Sequence, residues 1–158
     1  MPRFHYPSAL AIGAIITLPD PIAHHIHVLR LAVGETVTLF NGQGGEYSAS
    51  LTMIDKKRAA VEIKTFSPRE AELPYAVTLA QALPEASKMD WIIEKAVELG
   101  VAGIQPLAAQ RCVVKLSQDR AEKKRSHWQG ILVAAAEQIG RNRVPHRGEV
   151  SAFTNGIA

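Results

Sequence analysis

Glu85-Ala-Ser-Lys88-Met-Asp-Trp91-Ile-Ile-Glu-Lys95-Ala-Val-Glu98-Leu-Gly100-Val101 is a helix-length segment with readable ends. At about 100° per residue, Met89, Ile92, Ile93, Ala96, Val97 and Gly100 share one broad face, while Lys88, Trp91, Lys95 and Glu98 form a stripe on the other. Pro84 and Glu85 stand where helices start, and Gly100 stands where they end. The apolar face reads as core. The stripe has two readings: a solvated face on which Lys88 and Lys95 lay their stems past a tryptophan, or a surface for a partner.

Around this helix the chain alternates. Ala76 to Leu83 and Gly103 to Leu107 read as strands, Gln118 to about Arg141 as a long helix after a Ser117 cap, and Arg147 to Ala152 as a further strand. Such alternation predicts parallel βαβ units covered by helices. Ala121, Trp128, Leu132, Ala135 and Ile139 share one stripe of the long helix, and Glu137 with Arg141 is a helical i,i+4 pair. Parallel sheets are buried on both faces and normally hold more strands than this. Ending on Phe153-Thr-Asn-Gly-Ile-Ala158, the chain is therefore expected to be a fragment.

Before about residue 70 the texture differs. Ile15 to Leu18, Thr36 to Phe40, Tyr47 to Ile54 and Ala59 to Phe66 read as strands, and Asn41-Gly-Gln-Gly-Gly45 and Asp55-Lys-Lys-Arg58 as turns. One helix, Pro21 to Leu31, is predicted with Asp20 as its cap and Pro21 at its first position. These elements imply a small antiparallel sheet or barrel. Ser67 to Pro74 is polar, proline-bounded and aperiodic, a linker that divides the chain into domains at 1–70 and 71–158. The fold class is α+β overall, an antiparallel half followed by an α/β half with a mostly parallel sheet.

The chain's 158 residues suffice for one ordinary domain or two small ones with a real core. No apolar run of membrane-spanning length appears, and Met1-Pro-Arg-Phe-His5 lacks the apolar segment of a secretory signal, so the cytoplasm is the expected compartment. The single cysteine, Cys112, excludes an internal disulfide and a cysteine-rich metal site, and reads as a small buried hydrophobe. A net charge of +3 and a pI near 9.2 lean toward a polyanionic partner. Basic residues gather at Lys56 to Arg58, from Lys115 through Arg125, and in Arg141, Arg143, His146 and Arg147. Three such clusters with two tryptophans favour RNA over plain solvation.

Other motifs carry less. Gly42-Gln-Gly44-Gly45 lies between two alternating strands, so a hairpin turn is expected rather than a phosphate loop. Of His24, His25 and His27, only His24 and His27 share a helical face, and without a third ligand no metal is expected. Gly-x-Ser-x-Gly is absent, so hydrolysis by a nucleophile elbow is not indicated.

Arg3-Phe4, His27-Val-Leu-Arg30 with Gly34, Phe40-Asn-Gly42, Ala82-Leu-Pro-Glu85, Ser87-Lys88-Met and Lys95-Ala-Val-Glu98-Leu-Gly100-Val run in order along the chain. Arg111 follows, with Cys112 in a serine-like slot, then Trp128, Ala135-Ala-Glu137-Gln138 and Arg141-Asn-Arg143-Val-Pro145. Together these segments resemble the RsmE family, which methylates N3 of a uridine in bacterial 16S ribosomal RNA. The resemblance implies a PUA-like RNA-binding barrel, then a SPOUT domain with a trefoil knot. It further implies a homodimer that uses S-adenosylmethionine on 16S ribosomal RNA or the small ribosomal subunit. In that family the glycine-rich turns that thread the knot and hold the donor come after the position where this chain stops. The cofactor pocket is accordingly expected beyond Ala158.

By motif match, Lys88, Lys95, Arg111 and Arg141 are candidates for holding RNA phosphates or the developing imidate. Glu98, Glu137 and Gln138 are candidates for fixing those cations or shaping the pocket, against an ordinary helical ion pair for each glutamate. In the N-terminal domain Arg3, Arg30 and Lys56-Lys57-Arg58 are candidates for sugar-phosphate contacts, with Arg30 equally readable as a cap at its helix end. Trp91 and Trp128 are open to RNA or to a dimer interface. Methylation of a uridine nitrogen needs loss of the N3 proton and an in-line approach to the methyl group, which positioning and acid-base help can supply. The base must be looped or flipped out. A non-catalytic RNA-binding module lacking the donor pocket stands as the alternative.

Overall fold

The computed structural model describes residues 1–108 and 118–152, with side chains described except at 108, 118–121, 151 and 152. The expected roles of Arg111 and Cys112 and the Ser117 cap lie outside the described residues. The chain divides into two compact units, Met1–Ala71 and Glu72–Ala158.

In the first unit, β1 (Arg3–His5), β2 (Ile15–Thr17), β3 (Thr36–Phe40), β4 (Glu46–Ile54) and β5 (Ala59–Ser67) form one sheet in the order β1-β3-β4-β5-β2. All pairings are antiparallel except β1 with β3. This order has two ends, and no pairing of β1 with β2 closes it into a barrel among the described residues. Two register shifts between β4 and β5, at Ser48/Ala49 and Leu51/Met53, bend the long hairpin as bulges do. The Asn41–Gly45 turn is tied by the Asn41 side chain, which accepts from Gln43 N–H at 3.0 Å. Gly45 is required there, because a Cβ would strike the Phe66 ring and the Ser67 carbonyl.

The core of this unit gathers Phe4, Leu18, Val37, Leu39, Leu51, Val61 and Ile63 with Ala23 and Ile26 of α1 (Asp20–Val28). Fully burying each large member is worth roughly 1.5–3 kcal/mol. Helix α1 differs from expectation at both ends. Pro19 takes the cap position without a side-chain cap bond, and Asp20 sits inside the first turn, its carboxylate at the positive end of the helix. The C-terminus comes at Val28 because Arg30 adopts φ 55°. Arg30 N–H then reaches the His27 carbonyl at 3.1 Å and Leu31 N–H the Ile26 carbonyl at 3.3 Å, the Schellman pattern with arginine at the usual glycine position.

In the second unit, β6 (Thr78–Ala82), β7 (Gly103–Ala108) and β8 (His146–Arg147) are parallel in that order, and β9 (Ser151–Ala152) continues the third strand along β7. The strand expected at Arg147 to Ala152 is thus two short pieces. Gln105 bridges the gap, donating to the Glu149 carbonyl at 2.6 Å over Gly148. Strand order advances one way through α2 (Ala86–Leu99) and α3 (Gln118–Ile139), so right-handed crossovers put both helices on one face. Met89, Ile93, Ala96 and Val97 of α2 are buried with Trp128, Leu132, Ala135 and Ala136 of α3. Gly100 ends α2 at φ 99°, where its N–H meets the Val97 carbonyl at 3.1 Å.

Candidate functional site

In the first unit, three of the predicted RNA contacts project from a single turn. Lys56, Lys57 and Arg58 are exposed between β4 and β5, on a loop closed by the Asp55 N–H to Arg58 carbonyl bond at 2.7 Å. Their side chains make no ion pair with a described residue. Arg30 is likewise exposed, and its left-handed backbone aims a long cation outward from a position where glycine would be relaxed. Both readings of Arg30 meet here, since its backbone terminates α1 while its side chain stays available.

Arg3 is placed differently. Its guanidinium pairs with Glu46 and lies 5.2 Å from the Phe40 ring centroid, with only 15% of the side chain exposed. Glu46 also accepts two bonds from Arg69, both 3.0 Å. The Arg69 hydrogen bonds, opposed by burial and reinforced by Arg3, hold the Glu46 carboxyl below its usual range, and Glu46 raises the Arg69 guanidinium in turn. An arginine committed to an internal carboxylate and an aromatic face is a poor phosphate ligand, and Arg3 leaves the RNA-facing set for that reason.

In the second unit, the stripe of α2 stands as the wheel predicts. Lys88 is exposed and without an ion-pair partner among the described residues, and Trp91 is 61% exposed. Lys95 and Glu98 pair at 3.1 Å across i,i+3, a surface contact of tenths of a kcal/mol to about 1 kcal/mol. Trp128 is only 4% exposed, so it serves the core rather than RNA or a dimer partner. Glu137 is half-buried and Gln138 exposed near the end of α3.

Arg141 turns inward. At 2% exposure it donates through Nε (3.3 Å) and Nη2 to the Glu72 carboxylate and through Nη1 to the Val97 carbonyl at 3.1 Å. Its guanidinium locks the C-terminal end of α2 to the chain entering this unit, so the expected phosphate contact gives way to a structural one.

Sequence reasoning missed the partners of these arginines, because Glu46 and Glu72 are 43 and 69 positions away. It also missed His127, whose Nε2 lies 2.7 Å from an Asp90 carboxylate oxygen, tying α3 to α2. No local signal marks such pairs. No three His, Cys, Asp or Glu side chains converge on a metal-sized site, and no helix is long and apolar enough to cross a membrane, among the described residues.

Comparison with known proteins bears on this arrangement. A family model described as an RNA methyltransferase domain matches residues 71–157, and one described as an RNA methyltransferase PUA domain matches residues 18–64. The chain belongs to the RsmE family of RNA methyltransferases. The ribosomal RNA small subunit methyltransferase E of Bacillus subtilis is 34% identical over 134 residues, which cover 85% of this chain and 52% of the relative. The enzyme of the same name from Synechocystis is 36% identical, covering 85% of this chain and 43% of the relative. A crystal structure of ribosomal RNA small subunit methyltransferase E from Neisseria gonorrhoeae, bound to S-adenosyl methionine, superposes with a TM-score of 0.95. That chain is 40% identical, and the match covers 99% of this chain and 65% of it. This RsmE chain therefore spans about half the length of the curated relatives it matches.

Proposed function

We propose that this chain is the RNA-engaging portion of an enzyme that transfers the methyl group of S-adenosylmethionine to N3 of a uridine in 16S ribosomal RNA. One observation carries the reading: a TM-score of 0.95 and 40% identity over 99% of the chain to a ribosomal RNA methyltransferase bound to that donor. In this reading Lys56, Lys57 and Arg58, with Arg30, hold sugar-phosphate from the first unit, and Lys88 and Lys95 from the second. Arg111 is assigned to the reacting uridine, with Glu137 and Gln138 shaping its surroundings. Arg3 and Arg141 keep these surfaces in place from inside. The protein works as a cytoplasmic homodimer on ribosomal RNA or the small ribosomal subunit.

The groove formed by described residues of the second unit does not fit the donor. It lies beside α3 and is lined by charged and polar side chains rather than by walls for an adenine. The donor site is accordingly assigned outside these residues. What the chain's own cations supply is orientation of a flipped-out uridine and stabilisation of the anion left when N3 loses its proton.

A non-catalytic RNA-binding module is the second reading, favoured for the chain by itself by that lack of fit. Calorimetric titration of the chain with S-adenosylmethionine separates the two: micromolar binding would restore the donor pocket to these residues. In the full-length protein, Lys88→Ala and Arg111→Ala are expected to slow methyl transfer to 16S RNA at least tenfold. Unaltered turnover in both variants would remove those assignments.

A further inference from the structure

Between α3 and the third strand of the parallel sheet lies a groove of about 620 Å³, where the last residues of two of the basic clusters, Arg125 and Arg147, come together. Glu122, Arg125, Ser126 and Gln129, at spacings of three and four on one helical face, form one wall, and Arg147 and Glu149 form the other. Arg125 is already engaged, with Glu149 at 2.9 Å and Glu122 at 4.0 Å. The main chain at Glu149 is held by Gln105, while the Glu149 side chain, 77% exposed, is tied by its pair with Arg125.

Arg147 is not engaged. Its Nε and Nη1 are shielded from solvent and have no hydrogen-bond partner, and no carboxylate pairs with it among the described residues. Buried guanidinium N–H groups left unmet are penalised, and native structures rarely keep them so. With no bond to break, turning the guanidinium toward the groove forfeits nothing and offers a two-donor fork to an oxyanion.

We propose that this groove is a phosphate-binding site, with Arg147 as its principal ligand and Arg125 as its second. Glu149 occupies Arg125 until the phosphate arrives. A phosphate fits better than a carboxylate for a reason of charge and reach. It carries enough oxygens to bridge both guanidinium groups, whereas a carboxylate on Arg125 would merely replace the one already there. This inference stands apart from the methyl-transfer reading, since it uses none of the residues assigned there. Free phosphate and the backbone phosphate of an RNA present the same chemistry to the site.

Calorimetric titration of the chain at constant ionic strength with inorganic phosphate, and separately with a single-stranded oligouridylate, tests the proposal against a chloride control. Arg147→Gln is expected to weaken binding at least tenfold. Glu149→Gln is expected to tighten it severalfold by releasing Arg125, a gain that a purely structural role for this corner would not produce. Opposite shifts seen with inorganic phosphate identify a site for the free ion, and shifts seen only with the oligonucleotide identify a backbone contact. Binding by neither probe, equal binding by the Arg147 variant, or weaker binding by the Glu149 variant would overturn the site. Arg147→Gln removes an unsatisfied buried group, so its melting temperature is expected to stay near that of the unaltered chain, and Glu149→Gln keeps the test open if it does not.

Discussion

Arg141 grips Glu72 from inside the second unit, with its guanidinium 2% exposed and a third bond running to the Val97 carbonyl. Removing one partner of such a buried pair leaves an uncompensated group, which typically costs about 3–5 kcal/mol. Arg141→Ala is therefore expected to destabilise the second unit by about 3 kcal/mol. Glu72→Gln should cost less, because the amide has the shape of the carboxylate and keeps an oxygen that accepts from the Arg141 guanidinium. Urea unfolding followed by emission of the buried Trp128 measures both, and equal losses would contradict this asymmetry.

Glu46 sits between Arg69 and Arg3, and their hydrogen bonds keep its carboxyl below the ordinary range. A carboxyl depressed in the folded state contributes stability above its unfolded value of about 4.3, and that stability is lost as pH falls through the lower folded value. The first unit is thus expected to weaken as pH falls below about 4.3. In Glu46→Gln the same acid slope should be shallower. Amide signals of β3 and β4, followed through urea at a series of pH values, give the comparison.

Arg30 holds φ 55° in a position that glycine adopts freely. A non-glycine residue there carries roughly 1 kcal/mol of strain, partly offset by the greater freedom of glycine in the unfolded chain. Arg30→Gly should raise the stability of the first unit by up to about 1 kcal/mol and at the same time weaken RNA binding. A residue that strains the fold for the sake of a contact shows that opposite pair of effects. Gain of stability with unchanged RNA affinity would leave Arg30 as a helix terminator alone.

What could be read from the sequence follows the range of the forces involved. Helix α2 was legible because Met89, Ile93, Ala96 and Val97 repeat with the helical period and Gly100 stops it. The β4–β5 hairpin was legible because Tyr47 to Ile54 and Ala59 to Phe66 alternate about a charged turn. Strand β1 was not, since three residues cannot display a period and their partner is Thr38 to Phe40, far along the chain. Nor was the end of α1, because nothing in Arg30 announces a left-handed backbone. At the candidate site, the free cations of the Lys56–Arg58 turn and of Lys88 were visible as local patterns. The commitment of Arg3 and Arg141 was not, since a guanidinium chooses its carboxylate in space: Glu46 lies 43 positions from Arg3 and Glu72 lies 69 positions from Arg141.

The chain's two tryptophans separate cleanly by environment, Trp91 at 61% exposure and Trp128 at 4%. Emission open to a polar quencher should therefore come from Trp91 and vanish in Trp91→Phe, leaving the shielded emission of Trp128. If the α2 stripe faces RNA, an oligouridylate stacked on the indole will quench that same component. Stacking on an aromatic contributes about 1–3 kcal/mol per base, so Trp91→Leu should weaken binding about fivefold or more, while Trp91→Phe keeps a ring to stack on. Lys88, one turn before it, is expected to neutralise one phosphate. Its loss in Lys88→Ala should reduce the magnitude of the log-log salt slope by about 0.7 for a single strand. Quenching by RNA with unchanged affinity in Trp91→Leu would mean that the base passes near the indole without resting on it, and a salt slope unmoved by Lys88→Ala would return this stripe to the solvated face that its spacing alone also allows.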